Sequence, residues 1–326
     1  MIISRTPLRM SFVGGGSDLP SFYREHGGAV VSTAIDKYIY VTVNEKFDEG
    51  IRLAYSVTEE VERVGEIRHA LVREAMRFLE LDGGIEITTI ADIPSRGTGL
   101  GSSSSFTVGL LNVLNAYQSR HVSSEELGRN SCHVEIDICR EPIGKQDQYA
   151  AAFGGFNLIE FRPDESVQVS PIICRPEVRE QIESNILVLY TGIERSASSL
   201  LRQQSSDLAA SVDKQRAMQR MVELAYTLRD ELQANNLEAF GEILHENWEL
   251  KKSMTDGVSN SGIDEAYQAA RDAGALGGKL LGAGAGGFLM FYAPRAAHGA
   301  IKAALPKLRP VPMGFEPLGS RIIFYH

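Results

Sequence analysis

Between Pro94 and Ser105 the chain reads Pro-Ser-Arg-Gly-Thr-Gly-Leu-Gly-Ser-Ser-Ser-Ser, alternating glycines that run into serines and then into an apolar segment. No other stretch restricts the fold as much. Gly97, Gly99 and Gly101 open backbone dihedrals closed to residues with a Cβ, so successive N–H groups can converge on one point. From Phe106 to Tyr117 the apolar residues Val108, Leu111, Val113 and Leu114 recur at helical spacing, while Ile85 to Ile90 before the run reads as a strand. A strand, a glycine loop and a helix N-terminus in that order form an anion site, because free amides and the macrodipole both favour negative charge. A flexible linker has a similar composition, but linkers are not abutted by a strand and an amphipathic helix.

Which anion loop this is depends on what it lacks. A Walker loop ends in Gly-Lys-Ser/Thr, and no lysine lies between Pro94 and Ser105. A dinucleotide loop reads G-x-G-x-x-G after a first strand, whereas this run is G-x-G-x-G followed by serines. Bulk properties point to an enzyme acting on a small molecule. The 326 residues are 43% hydrophobic, enough for a substantial core and a length suited to two domains. With 33 basic and 42 acidic side chains the formal charge is −9, and no Lys/Arg stripe marks a nucleic-acid partner. No apolar run approaches membrane-spanning length and the start lacks a signal-peptide pattern, so the expected location is the cytoplasm. Cys132, Cys139 and Cys174 form neither a disulfide framework nor a metal pair and read as buried thiols.

Element patterns are mixed. Strand-like segments at Leu8 to Val13, Ala29 to Val31, Tyr38 to Asn44, Ile51 to Tyr55 and Ile85 to Ile90 accompany a helix at Arg68 to Leu81. From Ser196 to about Gly274 the pattern is helical, and Ser320 to Tyr325 reads as a short closing strand. The chain is therefore α+β. The break at Arg162-Pro-Asp-Glu-Ser suggests a division into residues 1–168 and 169–326.

Two acidic positions stand out. Ser123 with Glu126 forms a capping box that starts a helix, and Pro142 ends it. On that helix Glu135 lies among Ser131, Cys132, Ile138 and Cys139, opposite Arg129, His133 and Arg140, so it points inward. A buried carboxylate needs compensation, either from Mg²⁺, which takes one or two carboxylates plus hydroxyl or phosphate oxygens, or from an internal arginine. Near the N-terminus, Gly14-Gly15-Gly16-Ser17-Asp18 sets a carboxylate beside a glycine-rich turn, a good bidentate acceptor for vicinal hydroxyls and hence for a sugar. Asp18 equally suits a cap for the helix Leu19 to His26.

The run from Pro94 to Ser103, P-x-x-x-x-G-L-G-S-S, resembles the central motif of the GHMP (galacto-, homoserine, mevalonate and phosphomevalonate) kinase superfamily. Two further motifs stand in matching order, Arg5-Thr-Pro-Leu-Arg-Met-Ser-Phe-Val-Gly-Gly-Gly-Ser-Asp18 and Lys279-Leu-Leu-Gly-Ala-Gly-Ala-Gly-Gly287. The resemblance implies a two-domain GHMP kinase fold, N-terminally like ribosomal protein S5 domain 2 and C-terminally ferredoxin-like. It implies ATP held by Gly97, Gly99, Leu100, Gly101, Ser102, Ser103 and Ser104, with Mg²⁺ on Ser103 and Glu135. Gly144-Lys-Gln-Asp-Gln-Tyr149 resembles the segment bearing the catalytic aspartate, here Asp147, whose plain alternative is a helix cap. Arg9 matches the basic residue that stabilises the transferring phosphate; its plain alternative is a strand-end arginine in a surface ion pair.

Where galactokinase-like chains have Gly-Glu-His-Thr-Asp, this chain has Gly-Gly-Gly-Ser-Asp18, which resembles the D-glycero-D-manno-heptose 7-phosphate kinase branch. Ser32-Thr-Ala-Ile-Asp-Lys37, Trp248-Glu-Leu-Lys-Lys252 and Ser259-Asn-Ser-Gly-Ile-Asp264 do likewise. That branch implies a sugar phosphate acceptor met by Gly15, Gly16, Ser17, Asp18, Lys145, Arg195 and Gly284. Basic candidates for its phosphate are Arg96, Lys145, Arg195, Lys251, Lys252 and Lys279, most of which would equally be explained as surface charges. A kinase for another sugar such as fucose or galactose, a non-catalytic sensor of the same fold, and self-association into a homodimer stay open at this level. Trp248 is expected to pack its helix rather than stack on a ligand.

Overall fold

The computed structural model describes residues 1–93, 97–193, 197–284 and 286–326. Its strands are β1 (Ile2–Val13), β2 (Gly28–Glu45), β3 (Ile51–Ala54), β4 (Thr58–Val61), β5 (Ile85–Ala91), β6 (Phe156–Phe161), β7 (Val167–Pro171), β8 (Ile186–Tyr190), β9 (Gly277–Leu280), β10 (Phe288–Tyr292), β11 (Arg309–Pro310) and β12 (Arg321–Tyr325). One sheet runs β12-β1-β2-β5-β3-β4, with β6 on the first half of β2 and β7 on β6. All its pairs are antiparallel except β3 with β5. The other sheet, β11-β8-β10-β9, is antiparallel throughout. The α+β expectation thus holds, while β7 spans residue 168 and β12 brings the last residues back onto β1.

Several expected segments are parts of longer elements. The segments Ala29 to Val31 and Tyr38 to Asn44 are one strand, because Ser32 to Lys37 continues the pairing with β1 through a register shift instead of turning. The helix expected at Arg68 to Leu81 spans Ala70–Phe78. Ser123 does cap its helix, accepting from the Glu126 N–H, and that α-helix runs Ser124–Cys132 before widening into a π-turn over His133–Ile138. Of the cysteines only Cys132 is buried; Cys139 and Cys174 are partly exposed, which corrects that expectation. Trp248 is fully buried against Tyr267, as a packing residue is.

Aromatic contacts join the layers. Phe12 of β1 meets Phe156 at 5.6 Å and Phe240 at 5.7 Å, and Phe240 meets Tyr292 of β10 at 4.5 Å. One apolar cluster therefore runs from one sheet to the other, with smaller clusters beside it. The helix Ser102–Tyr117 lies on β1 and β2, and Phe240–Met254 lies on β9, so the glycine loops before the first and after β9 meet at one place. Among the described residues, no helix is long and apolar enough to cross a membrane.

Candidate active site

The central loop is stapled to β1 by Arg9. That side chain is 4% exposed, and its guanidinium grips Asp147 with both prongs, Nε to Oδ1 at 2.7 Å and Nη2 to Oδ2 at 2.8 Å. Nη1 donates to the Gly99 carbonyl at 2.6 Å, and the Arg9 amide donates to the Leu100 carbonyl at 3.1 Å. Each Nη keeps a second N–H for an anion. This is a bidentate pair in which Arg9 is buried and Asp147 partly exposed at the cavity, not the surface ion pair weighed as the alternative. Nor does Asp147 cap a helix: in Gln146–Phe153 it sits in the first turn, behind the N-cap Lys145.

Gly101, in the left-handed region at φ 76°, is the N-cap of the helix Ser102–Tyr117. A Cβ there would stand 3.2 Å from Asp147 Oδ2 and 3.3 Å from Arg9 Cγ. The helix start therefore presents its unpaired amides beside the Arg9–Asp147 pair. Gly97, Gly99, Gly101 and Ser102 to Ser104 border a cavity of about 530 Å³, whereas Leu100 turns its side chain into the core. The loop after β9 closes on this one backbone to backbone: a Cβ on Gly99 would lie 2.2 Å from the Leu281 carbonyl oxygen. Gly284 borders the same cavity.

Across the cavity, Asp18 organises the other wall. Its Oδ1 accepts from the Gly16 amide at 3.0 Å and from Gln146 Nε2 at 3.1 Å, and its Oδ2 accepts from the Gln146 amide at 3.2 Å. Burial, followed by the nearby Asp147 charge, raises its pKa. The helix Pro20–His26 has Leu19 as N-cap, so Asp18 is not its cap. Gly144 must be glycine here, since a Cβ would fall 1.9 Å from Asp18 Oδ2. Gln146, which no sequence signal marks, sits between both aspartates with a buried Oε1 that has no partner among the described residues, and it borders the cavity.

Glu135 lies on the π-turn and is wholly buried. Thr107 Oγ1 donates to it at 3.0 Å, Gln148 Nε2 at 2.6 Å and Ser103 Oγ at 3.3 Å. Burial pushes its pKa up to about 7 against these donors, and the Ser104 hydroxyl also favours its charged form. Among the described residues it has no ion-pair partner, so the internal arginine is not found there. Nor do the described residues bring together three or more His, Cys, Asp or Glu side chains that could hold a metal. One carboxylate beside serine and threonine hydroxyls, facing a phosphate loop, fits Mg²⁺, which completes its shell with phosphate and water oxygens.

The basic candidates separate cleanly. Lys251 and Lys279 are buried and border the cavity. Lys252 instead bonds Glu249 at 2.9 Å on the surface. Two expected substrate contacts, Lys145 and Ser17, do not line the cavity. Lys145 is drawn to Glu165 and the Tyr23 ring, away from the cavity, because three hydrogen-bonding side chains converge on Glu165. Ser17 is fully buried and spends its hydroxyl on the Ala29 backbone, donating at 3.2 Å and accepting at 3.1 Å. Gly15, Gly16 and Asp18 do border the cavity. Arg96 and Arg195 lie outside the described residues.

Known proteins fit this geometry. The family description GHMP kinases N terminal domain matches residues 67–155, and GHMP kinases C terminal matches residues 228–308. A D-glycero-alpha-D-manno-heptose 7-phosphate kinase of Campylobacter jejuni is 29% identical over 318 residues, covering 93% of this chain and 92% of that protein. The crystal structure of a D-glycero-D-manno-heptose 1-phosphate kinase from Bacteroides thetaiotaomicron superposes with a TM-score of 0.82 at 27% identity, covering all of both chains. Lactococcus lactis galactokinase complexed with galactose shares the fold, at a TM-score of 0.78 and 19% identity over 98% of this chain and 94% of that one. With both family domains matched in order around one cavity, the chain belongs to the GHMP kinases, ATP-dependent phosphotransferases.

Proposed function

We propose that this chain transfers the γ-phosphoryl group of ATP to the anomeric hydroxyl of D-glycero-D-manno-heptose 7-phosphate, giving the 1,7-bisphosphate for nucleotide-activated heptose synthesis in the cytoplasm. The carrying observation is the Arg9–Asp147 pair, set between the amides at the start of Ser102–Tyr117 and the Asp18–Gln146 wall. The nucleotide phosphates take the amide side, between the loops of residues 97–104 and 281–287. The sugar takes the other side, where Gln146 Oε1 has no partner among the described residues and can accept a hydrogen bond from a sugar hydroxyl. Asp147 accepts the proton of the attacking hydroxyl, and Arg9 fixes the carboxylate's orientation while its remaining N–H groups face the transferring group. Ser103 and Glu135 would hold Mg²⁺, which would supply neutralising charge to the phosphates. Residues 1–168 and 169–326 are taken as the two domains, with the cavity at their junction.

The assay is ADP release with Mg-ATP and a sugar panel. Turnover is expected with heptose 7-phosphate and much less with galactose or fucose; equal turnover of the unphosphorylated sugars would overturn the heptose assignment. Asp147→Asn should lower kcat by about 10²–10⁴-fold with ADP affinity nearly unchanged. Near-normal turnover in that variant would remove Asp147 from the base role. Calorimetric binding of both ligands without turnover of any sugar would favour a sensor.

A further inference from the structure

Lys251 and Lys279 are both buried at the wall of the cavity, and among the described residues neither is in ion-pair contact with a carboxylate. Uncompensated buried ammonium groups are costly, so a fold that keeps two of them together needs an anion to complete it. Their present partners are neutral. Lys251 Nζ donates to the Gly15 carbonyl at 3.1 Å and to Gln204 Oε1 at 3.3 Å, and Lys279 Nζ donates to Ser11 Oγ at 3.4 Å. Asp18 faces Lys251, but both its carboxylate oxygens are engaged by Gly16 and Gln146.

An ammonium carries three donors, so one on Lys251 and two on Lys279 lack a partner among the described residues. A phosphomonoester offers the same number of terminal oxygens, and its double charge balances both lysines. Next to Lys251, Gln204 Nε2 is buried and has no partner among the described residues. Burial drives both lysines toward the neutral form, Lys251 to about 8, with the Asp18 charge opposing, and Lys279 to about 7, with the Lys251 and Arg9 charges adding to the effect. Gly16, at φ +107°, permits the arrangement: a Cβ there would lie 3.1 Å from Lys251 Nζ and 2.6 Å from Gln204 Nε2.

We infer that Lys251 and Lys279 form a second anion subsite that holds the phosphate the acceptor sugar already carries, apart from the phosphate being transferred. The inference rests on the proposed sugar kinase reading and names the part of the cavity that selects a phosphorylated acceptor. Lys251 reaches the cavity from Phe240–Met254 and touches the Gly15–Gly16 turn beside Asp18, Lys279 stands where it also faces the Arg9 charge, and the helix-start amides lie beside the Arg9–Asp147 pair.

The test compares wild type with Lys251→Met, using heptose 7-phosphate and the same heptose without its phosphate. KM for the phosphorylated sugar should rise about 10²-fold with kcat little changed, while KM for the unphosphorylated sugar stays where it was. An equal effect on both sugars, or a loss confined to kcat, overturns the inference; the latter would put Lys251 on the transferring phosphoryl group. ADP affinity should be that of wild type, and its loss at unchanged Tm would also overturn it. Should the methionine variant fail to fold, Lys251→Gln is measured in its place. Independently, mannose 6-phosphate should bind the wild-type protein in calorimetry and raise the lysine titrations followed by NMR. If heptose 7-phosphate is not turned over yet mannose 6-phosphate binds and depends on Lys251, the subsite stands and only the substrate assignment falls. No binding of either sugar phosphate to wild type sinks the subsite itself.

Discussion

A lysine's role here is set by what surrounds its ammonium, which a sequence shows poorly. Lys145, Lys251, Lys252 and Lys279 are equivalent as letters, yet the fold buries Lys251 and Lys279 in the cavity, pairs Lys252 on the surface and turns Lys145 to Glu165. Arg9, Asp18 and Asp147 were legible because each stands inside a motif, and Glu135 because its helix sets it among small and apolar residues opposite a basic face. Gln146 was not, since only its contacts to Asp18 reveal it. The buried lysines make a stability prediction with a definite sign. Lys279 has its pKa lowered from 10.5 to about 7, first by burial and then by Lys251 and Arg9, the charged groups facing it. Below pH 7 it is protonated folded and unfolded alike, and the full cost of burying the charge falls on the native state. Between pH 7 and 10.5 the unfolded chain binds more protons, so wild-type stability recovers as pH rises. In ligand-free protein, Lys279→Met should therefore be more stable than wild type by a few kcal/mol at pH 6, the gain shrinking toward pH 10. Denaturant unfolding at several pH values checks this, and a gain independent of pH would mean that packing, not charge, sets the difference.

At the scale of elements, the strand, loop and helix around the central glycines were readable, because glycine spacing and apolar periodicity are local signals. Two features were not. Joining two short strands into β2 depends on β6 and β5 pairing along different halves of it, and the π-turn that aims Glu135 adds a residue no periodicity announces. The meeting of the two glycine loops is likewise a tertiary fact, and it separates glycines that look alike in sequence. Gly84, at φ +66°, has open space where a Cβ would go; Gly99, at φ +76°, has the Leu281 carbonyl oxygen 2.2 Å away. Gly84→Ala should cost about 1 kcal/mol from backbone strain alone. Gly99→Ala adds a clash between two backbones and should cost roughly 2–5 kcal/mol, with weaker ADP binding that Gly84→Ala does not share. Thermal unfolding and calorimetry of both variants decide it. Equal effects would show that the two loops can part without penalty.

Across the whole molecule, the cavity draws on both halves of the chain: Arg9, Asp18 and Asp147 come from the first, Lys251, Lys279 and Gly284 from the second. The core is equally shared, since Phe12 and Phe240 link β1 to β10 through Tyr292, and β12 returns to pair with β1. Strand pairing between segments as distant as β1 and β12 leaves no local trace in the sequence. The shared core predicts one unfolding transition, not two, despite a length typical of separate domains. A nucleotide bound between the loops should raise the stability of that single transition by RT ln(1 + [L]/Kd), about 2.7 kcal/mol at one hundred times Kd. Differential scanning calorimetry with and without Mg-ADP tests both statements. Two resolved peaks, or a ligand shift confined to one of them, would mean that the halves unfold independently and that the nucleotide contacts only one. If Glu135 and Ser103 hold the ion, a chelator should remove most of the shift while leaving the ligand-free Tm unchanged, because the ion enters with the phosphates it neutralises.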